Sequence, residues 1–198
     1  MLDVHFVFLG AAIGCLGQAA YVRDTLRGVT QPNRVTFLLW AIAPLLAFAV
    51  ELNQGVGLRS LMTLVIGVGP LAILAASFVN RSSVWRIGRL DYVCGLVSLL
   101  GTAGWLISRH GTVALVAAIA ADGLAAVPTV VKSWKDPGSE TAVLYVAGLA
   151  NASITLLTIQ DWTLAAVAFP AYILVVGSIQ VVLVAGRVGV RARVGSST

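Results

Sequence analysis

Charge is what this chain has least of. Only 11% of its 198 residues are Asp, Glu, Lys or Arg, where a soluble domain carries about 25%, while 59% are hydrophobic and the mean hydropathy is +0.94. So few charges cannot solvate the outside of a globule, and the exterior that remains is one suited to lipid. Cysteine is nearly absent. Cys15 and Cys94 both lie in apolar runs, which excludes a disulfide framework and reads as two reduced, packed thiols. His5 and His110 fall at the ends of apolar runs, and no His, Cys, Asp and Glu cluster has metal-ligand spacing. There is no Walker loop, nucleophile elbow or Cys-x-x-Cys. The two lysines share one connection, so no apolar run offers a Schiff-base lysine. These absences leave no expected cofactor or metal and no catalytic pair, and the chain is not read as an enzyme. Nor does the net charge of +5 point to nucleic acid, because the basic residues sit in short clusters between apolar runs. The opening MLDVHFVFLG has no basic residue ahead of its apolar part, so an uncleaved first helix is expected.

What is abundant is long apolar sequence. A membrane helix needs roughly 20 mostly apolar residues to cross about 30 Å of hydrocarbon. Seven stretches qualify, at 4–22, 35–52, 60–79, 90–108, 111–131, 140–158 and 163–186, separated by short connections such as Gln31-Pro32-Asn33, Asn53-Gln54-Gly55 and Asp136-Pro137-Gly138. An all-α, polytopic membrane protein of seven spans is expected. Charge supports the count: Arg23, Arg27, Arg34, Arg81, Arg86, Arg89, Lys132, Lys135, Arg187, Arg191 and Arg193 fall on one side, and Arg59 and Arg109 on the other. Such a bias puts the N-terminus outside and the C-terminus in the cytoplasm of a cell (plasma or inner) membrane. Trp40, Trp85 and Trp134 then sit near the inner face and Trp105 and Trp162 near the outer one.

The chain also matches itself. An offset of 105 sets QPNRVTFLLW over DPGSETAVLY, pairing Pro32 with Pro137, Thr36 with Thr141 and Trp40 with Tyr145. Further on, an offset of 100 pairs Thr63 with Thr163, Pro70 with Pro170 and Ile73-Leu74 with Ile173-Leu174. Aliphatic matches are cheap in such a chain, but four of its six prolines fall into two aligned pairs. The division expected is a three-helix repeat over 1–80, a linker helix over 81–110, a second repeat over 111–187 and a basic cytoplasmic tail over 188–198. Because three is odd, the extra helix gives both repeats the same orientation.

This arrangement resembles the SWEET, SemiSWEET and PQ-loop transporter clan, whose repeats are parallel three-helix bundles. The motif likeness is best in LAAVPTVVKSWKDPGSETAVLYVAG: Pro128 near the inner end of a repeat's first helix, the basic turn Lys132-Ser133-Trp134-Lys135, then Ser139 and Thr141 opening the next helix. By motif the likeness covers about 25 residues, by architecture nearly the whole chain. Where the family has glutamine after the proline, this chain has Thr129, and the first repeat has Tyr21-Val22-Arg23 with no proline. Sugar-transporting members have paired asparagines on the third helix of each repeat. None stands there at mid-depth here, so the resemblance implies transport without implying sugar.

Asp122 is the most informative residue, since it lies near the middle of the fifth stretch and its repeat-mate is Gly17. A carboxylate at that depth costs about 2.5–3.5 kcal/mol on insertion scales. It reads as a protonatable coupling site or as a counter-ion for a cationic solute; the purely structural alternative is a neutral Asp bonded to another helix. Asn151, at similar depth on the sixth stretch, suits a polar solute or helix–helix glue. Tyr172, near mid-depth on the seventh, can line a cavity or pack. The matched Trp40 and Tyr145 lie where aromatics line the pathway in sugar-transporting relatives, or serve as interfacial anchors. Pro128, Pro70 and Pro170 each remove a helix hydrogen bond and are candidate hinges. Gly10, Gly14 and Gly17 form a small-residue face for close helix packing.

The function expected is a transporter or facilitator of a small polar solute by alternating access, with proton coupling through Asp122 as a further expectation. The alternatives are a non-transporting receptor or scaffold on the same fold, and a vitamin-type facilitator. Its partners are then the lipid bilayer, the solute and protons; self-association is left open.

Overall fold

In a computed structural model, which describes residues 2–80, 85–108 and 111–186, each apolar stretch folds as a helix. They are α1 (Phe6–Leu26), α2 (Arg34–Asn53), α3 (Leu61–Val79), α4 (Arg89–Ser108), α5 (Gly111–Lys135), α6 (Ala142–Thr158) and α7 (Leu164–Val181). A 3-10 turn, Gly57–Ser60, leads into α3, another, Pro137–Ser139, precedes α6, and a π-turn, Val182–Gly186, extends α7. No strand occurs among the described residues. Five segments are long and apolar enough to cross a membrane: α1, α2, Gly57–Val79, Leu115–Lys135 and Leu164–Gly186. At 17 residues, α6 is apolar but shorter, and α4, opening with Arg89 and Asp91, is not one of the five. The protein is an all-α, polytopic, membrane-embedded chain.

Its surface is inverted relative to a soluble globule. Leu16, Val79, Leu100, Val175 and Val182 are each at least 62% exposed, while Thr36, Asp122, Lys132, Asn151 and Thr155 are buried. Apolar atoms outward and polar atoms inward is the arrangement a hydrocarbon solvent favours. Local chemistry ends the helices. The Asn33 side chain accepts from the backbone N–H groups of Val35 and Thr36 and caps α2. The Thr163 hydroxyl accepts from Ala166 N and caps α7. Gly28, at φ 79°, turns the chain away from α1 in a conformation that favours glycine.

One end of the bundle collects the end of α1, the start of α2, the ends of α3 and α5 and the start of α6. There Gln31 N donates to Ser139 O at 2.9 Å, Asn80 Nδ2 to Leu26 O at 3.1 Å and Lys132 Nζ to Gln31 O at 2.6 Å. The other end joins the start of the chain to α6, through Leu2 N to Leu157 O, and Arg59 to the carbonyl of Thr158. Of the basic residues expected on one side, Arg23, Arg27, Arg34, Arg86, Arg89, Lys132 and Lys135 belong to the first end. Arg81, Arg109, Arg187, Arg191, Arg193, the tail and the side chain of Trp105 lie outside the described residues. Lys132 corrects an expectation. It is not in the connection after the fifth stretch but on the last turn of α5, with its side chain fully buried.

Helix α1 lies against α3 and α6, α2 against α3 and α5, and α7 against α5 and α6, while α4 covers α5 and α2 from outside. The α1–α6 approach is close because α1 presents glycines to it. A Cβ at Gly17 would fall 2.4 Å from Ala147 Cβ, and one at Gly10 would fall 2.7 Å from Asn151 Oδ1. The small-residue face expected on α1 is thus where α6 seats.

Candidate functional site

Between the helices lies a cavity of about 90 Å³, with room for several waters or a small solute. Gly14 and Gln18 reach it from α1, Phe37 and Trp40 from α2, and Ile66, Pro70 and Ile73 from α3. Asp122 comes from α5, Leu144, Tyr145, Gly148 and Asn151 from α6, and Ile173, Val176 and Gly177 from α7. Among the described residues α4 contributes none. Two of the sequence-matched pairs, Trp40 with Tyr145 and Ile73 with Ile173, both face this space.

Asp122 stands at mid-helix on α5, about 17 Å from its first residue at 1.5 Å per residue. The Tyr172 hydroxyl donates to its Oδ2 at 2.6 Å, and the Trp40 indole N–H donates to its backbone carbonyl at 3.3 Å. Its Oδ1 is buried without a partner. Tyr172 itself is not among the cavity-lining side chains; it holds Asp122 from α7, with its ring beside Gly123. Asn151 is fully buried, and neither its Oδ1 nor its Nδ2 has a hydrogen-bond partner. A helix-gluing Asn would have bonded across to α1. Instead it faces Gly10 and Gly14, which offer it no side chain.

Trp40 and Tyr145 have second engagements. Trp40 packs edge-on against Phe37, with ring centroids 5.5 Å apart. The Tyr145 hydroxyl donates to Glu140 Oε2 at 2.8 Å. Of the candidate hinges, Pro70 lines the cavity. Pro128 and Pro170 lie within α5 and α7, and all three helices continue through their prolines. Each leaves one carbonyl in the preceding turn without its helix donor. Pro44 inside α2 is a fourth such position.

Three features escaped the sequence. Gln18 crosses from α1 to α3, donating to Val65 O at 2.8 Å and lying where a side chain at Gly69 would be. It lines both the cavity and an open groove between α1 and α3, so it forms part of the wall between them. Only its polarity inside an apolar run signalled it. Glu51, near the end of α2, is a second buried carboxylate: Thr63 donates to its Oε1 at 3.0 Å and its Oε2 has no partner. It stands at the edge of the second apolar stretch, and nothing in the sequence pairs it with Thr63. Lastly, Lys132 and Glu140 form a buried ion pair joined by the Gln31 carbonyl, the Tyr145 hydroxyl and the face of Trp85, 5.6 Å from Lys132 Nζ.

No cluster of three or more His, Cys, Asp or Glu able to hold a metal occurs among the described residues. Comparison of the chain with family models, with curated proteins and with solved structures finds no match.

Proposed function

We propose that the chain is a SWEET-like transporter or facilitator of a small polar solute, crossing the membrane seven times as two parallel three-helix repeats around the linker α4. The observation that carries this reading is the cavity. All six repeat helices reach it, and its polar lining includes buried atoms without partners on Asp122 and Asn151. Unsatisfied polar atoms in a span are costly unless a ligand or water completes them.

Helix contacts support the repeat. Exchanging α1 with α5, α2 with α6 and α3 with α7 turns the α1–α6 contact into α2–α5, α2–α3 into α6–α7, and α1–α3 into α5–α7. Each member of these pairs exists, and α4 has no counterpart. The matched proline segments also meet, through Gln31 N and Ser139 O. On this reading the repeats rock about the cavity, with Pro70, Pro128 and Pro170 as places where helices can bend. The basic end faces the cytoplasm, and Asp122 carries proton coupling.

A thermal-shift screen of small polar solutes on the detergent-purified chain, followed by counterflow of the hits in proteoliposomes, tests the reading. Accelerated exchange of a stabilising solute is expected. Tight binding without counterflow would favour a receptor, and exchange no faster than in empty vesicles for every hit would end the transport reading.

A further inference from the structure

We infer that the cavity takes a small organic cation and exchanges it for a proton at Asp122. The inference rests on the transporter reading above and names its substrate class. Among the described residues, Asp122 is the only Asp, Glu, Lys, Arg or His that lines the cavity. An anionic solute would therefore meet a carboxylate with nothing to offset it. Oδ2 is taken by Tyr172, and the backbone carbonyl by Trp40, so Oδ1 is the atom left for a ligand. Phe37 and Trp40 line the same cavity, and aromatic rings attract cations. Asn151 lines it too, with an amide whose oxygen and nitrogen are both without partners. A carboxylate oxygen left open, beside aromatic rings and an unpaired amide, is chemistry that recognises an ammonium or guanidinium group.

The surroundings keep the charge at Oδ1 to a single positive partner at a time. The elements packed against α5 are α2, α4, α7 and the turns Pro137–Ser139 and Val182–Gly186, the two turns carrying no titratable side chain. From α7 only Tyr172 among titratable side chains contacts Asp122. On α2, Arg34 bonds Ser77 and Glu51 bonds Thr63, both far along the helix from Trp40. On α4, Asp91 is held near the first turn by Asn33 and by Gly88 N, beside Arg89, Tyr92 and Cys94. Lys132, on α5 itself, is engaged by Glu140, and Lys135 ends the helix. Asp122 thus carries either a proton or an organic cation. When the cation enters, the Oδ1–H bond breaks and the proton leaves to water on the open side. When the cation departs, a proton returns. The site is neutral in both states, which is what lets it turn over inside hydrocarbon. A cavity of about 90 Å³, below the roughly 150 Å³ that holds benzene, favours compact cations.

The test uses full-length chain in proteoliposomes that are acid inside and loaded with a pH-sensitive dye. Guanidinium chloride and tetramethylammonium chloride are added outside, neither of which crosses lipid as a free base. Urea, nearly the same shape as guanidinium but neutral, is the control. Guanidinium is expected to alkalinise the lumen, urea to leave it unchanged, and Asp122→Asn to lose the response to the level of empty vesicles while Asp122→Glu keeps it. Should Asp122→Asn fail to reconstitute, the discrimination of guanidinium from urea by the unaltered chain decides. Counterflow of labelled urea or another neutral solute without any cation-driven proton movement would overturn the cation inference and leave the transporter reading standing. Vesicles that exchange neither cations nor neutral solutes would overturn both.

Discussion

Two of the groups of buried polar side chains in this bundle are finished differently. At the basic end, Lys132 and Glu140 satisfy each other, and Gln31, Tyr145 and Trp85 supply further contacts. In the cavity, Asp122 keeps one oxygen free and Asn151 keeps its whole amide free. The first cluster ties the turn before α2 to α5 and α6. On the proposed reading a solute completes the second, and the contrast separates what the protein needs to fold from what it needs to act.

The largest effect is expected where completion is undone. Lys132→Met leaves Glu140 buried without its counter-charge and should destabilise the chain by about 3–5 kcal/mol, whereas Lys132→Met with Glu140→Leu should recover most of that loss. Thermal unfolding in detergent measures both. A single variant as stable as the parent would mean that water reaches the pair, and the contrast between the regions would dissolve. Gly17→Ala comes next. Its Cβ would lie 2.4 Å from Ala147 Cβ and 3.1 Å from Val143 O, so α1 and α6 must separate, at about 1–3 kcal/mol. Gly10→Ala meets chiefly the unbonded end of Asn151, so it should be milder for stability. Tyr145→Phe sharpens the comparison from a residue that belongs to both regions. It removes a hydrogen bond to Glu140 worth about 1.5–3 kcal/mol yet keeps the ring in the cavity wall. Lowered stability with solute exchange intact is expected; the reverse pattern would assign its hydroxyl to the cavity.

How much of this was legible beforehand differs in the same way. Helix positions were, because apolar length and short polar connections set them: the stretch expected at 60–79 is α3 with its leading turn, and that at 90–108 is α4. Asp122 was, since a carboxylate in an apolar run is conspicuous at any depth. Lys132 was misjudged because a lysine at the end of a span usually reaches water, and only the fold brings Glu140 and the Gln31 carbonyl over it. Tyr172 could line a cavity or pack, and its hydroxyl meets Asp122, a placement set by the rotation of α7 about its axis. That rotation is hard to read from a helix apolar all round. The same limit hid Gln18 and Glu51, whose partners Val65 and Thr63 lie on a different helix.

The smallest expected change in stability carries the sharpest test. Asn151→Leu removes an amide that bonds nothing, and interhelical bonds of this kind average only about 0.6 kcal/mol even when made. Leucine is similar in length, and Gly10 and Gly14 opposite it leave space that the amide now fills. Unfolding temperature should therefore hardly move, or rise, because an unsatisfied polar group leaves the hydrocarbon depth of the bundle. Solute exchange should fall, because the wall loses its one free amide. Asp122→Asn should behave alike in stability, since an amide oxygen can still accept from Tyr172. If Asn151→Leu instead unfolds the chain, its amide is bonded across helices in the membrane. The cavity polar groups would then join the basic-end cluster as structural parts.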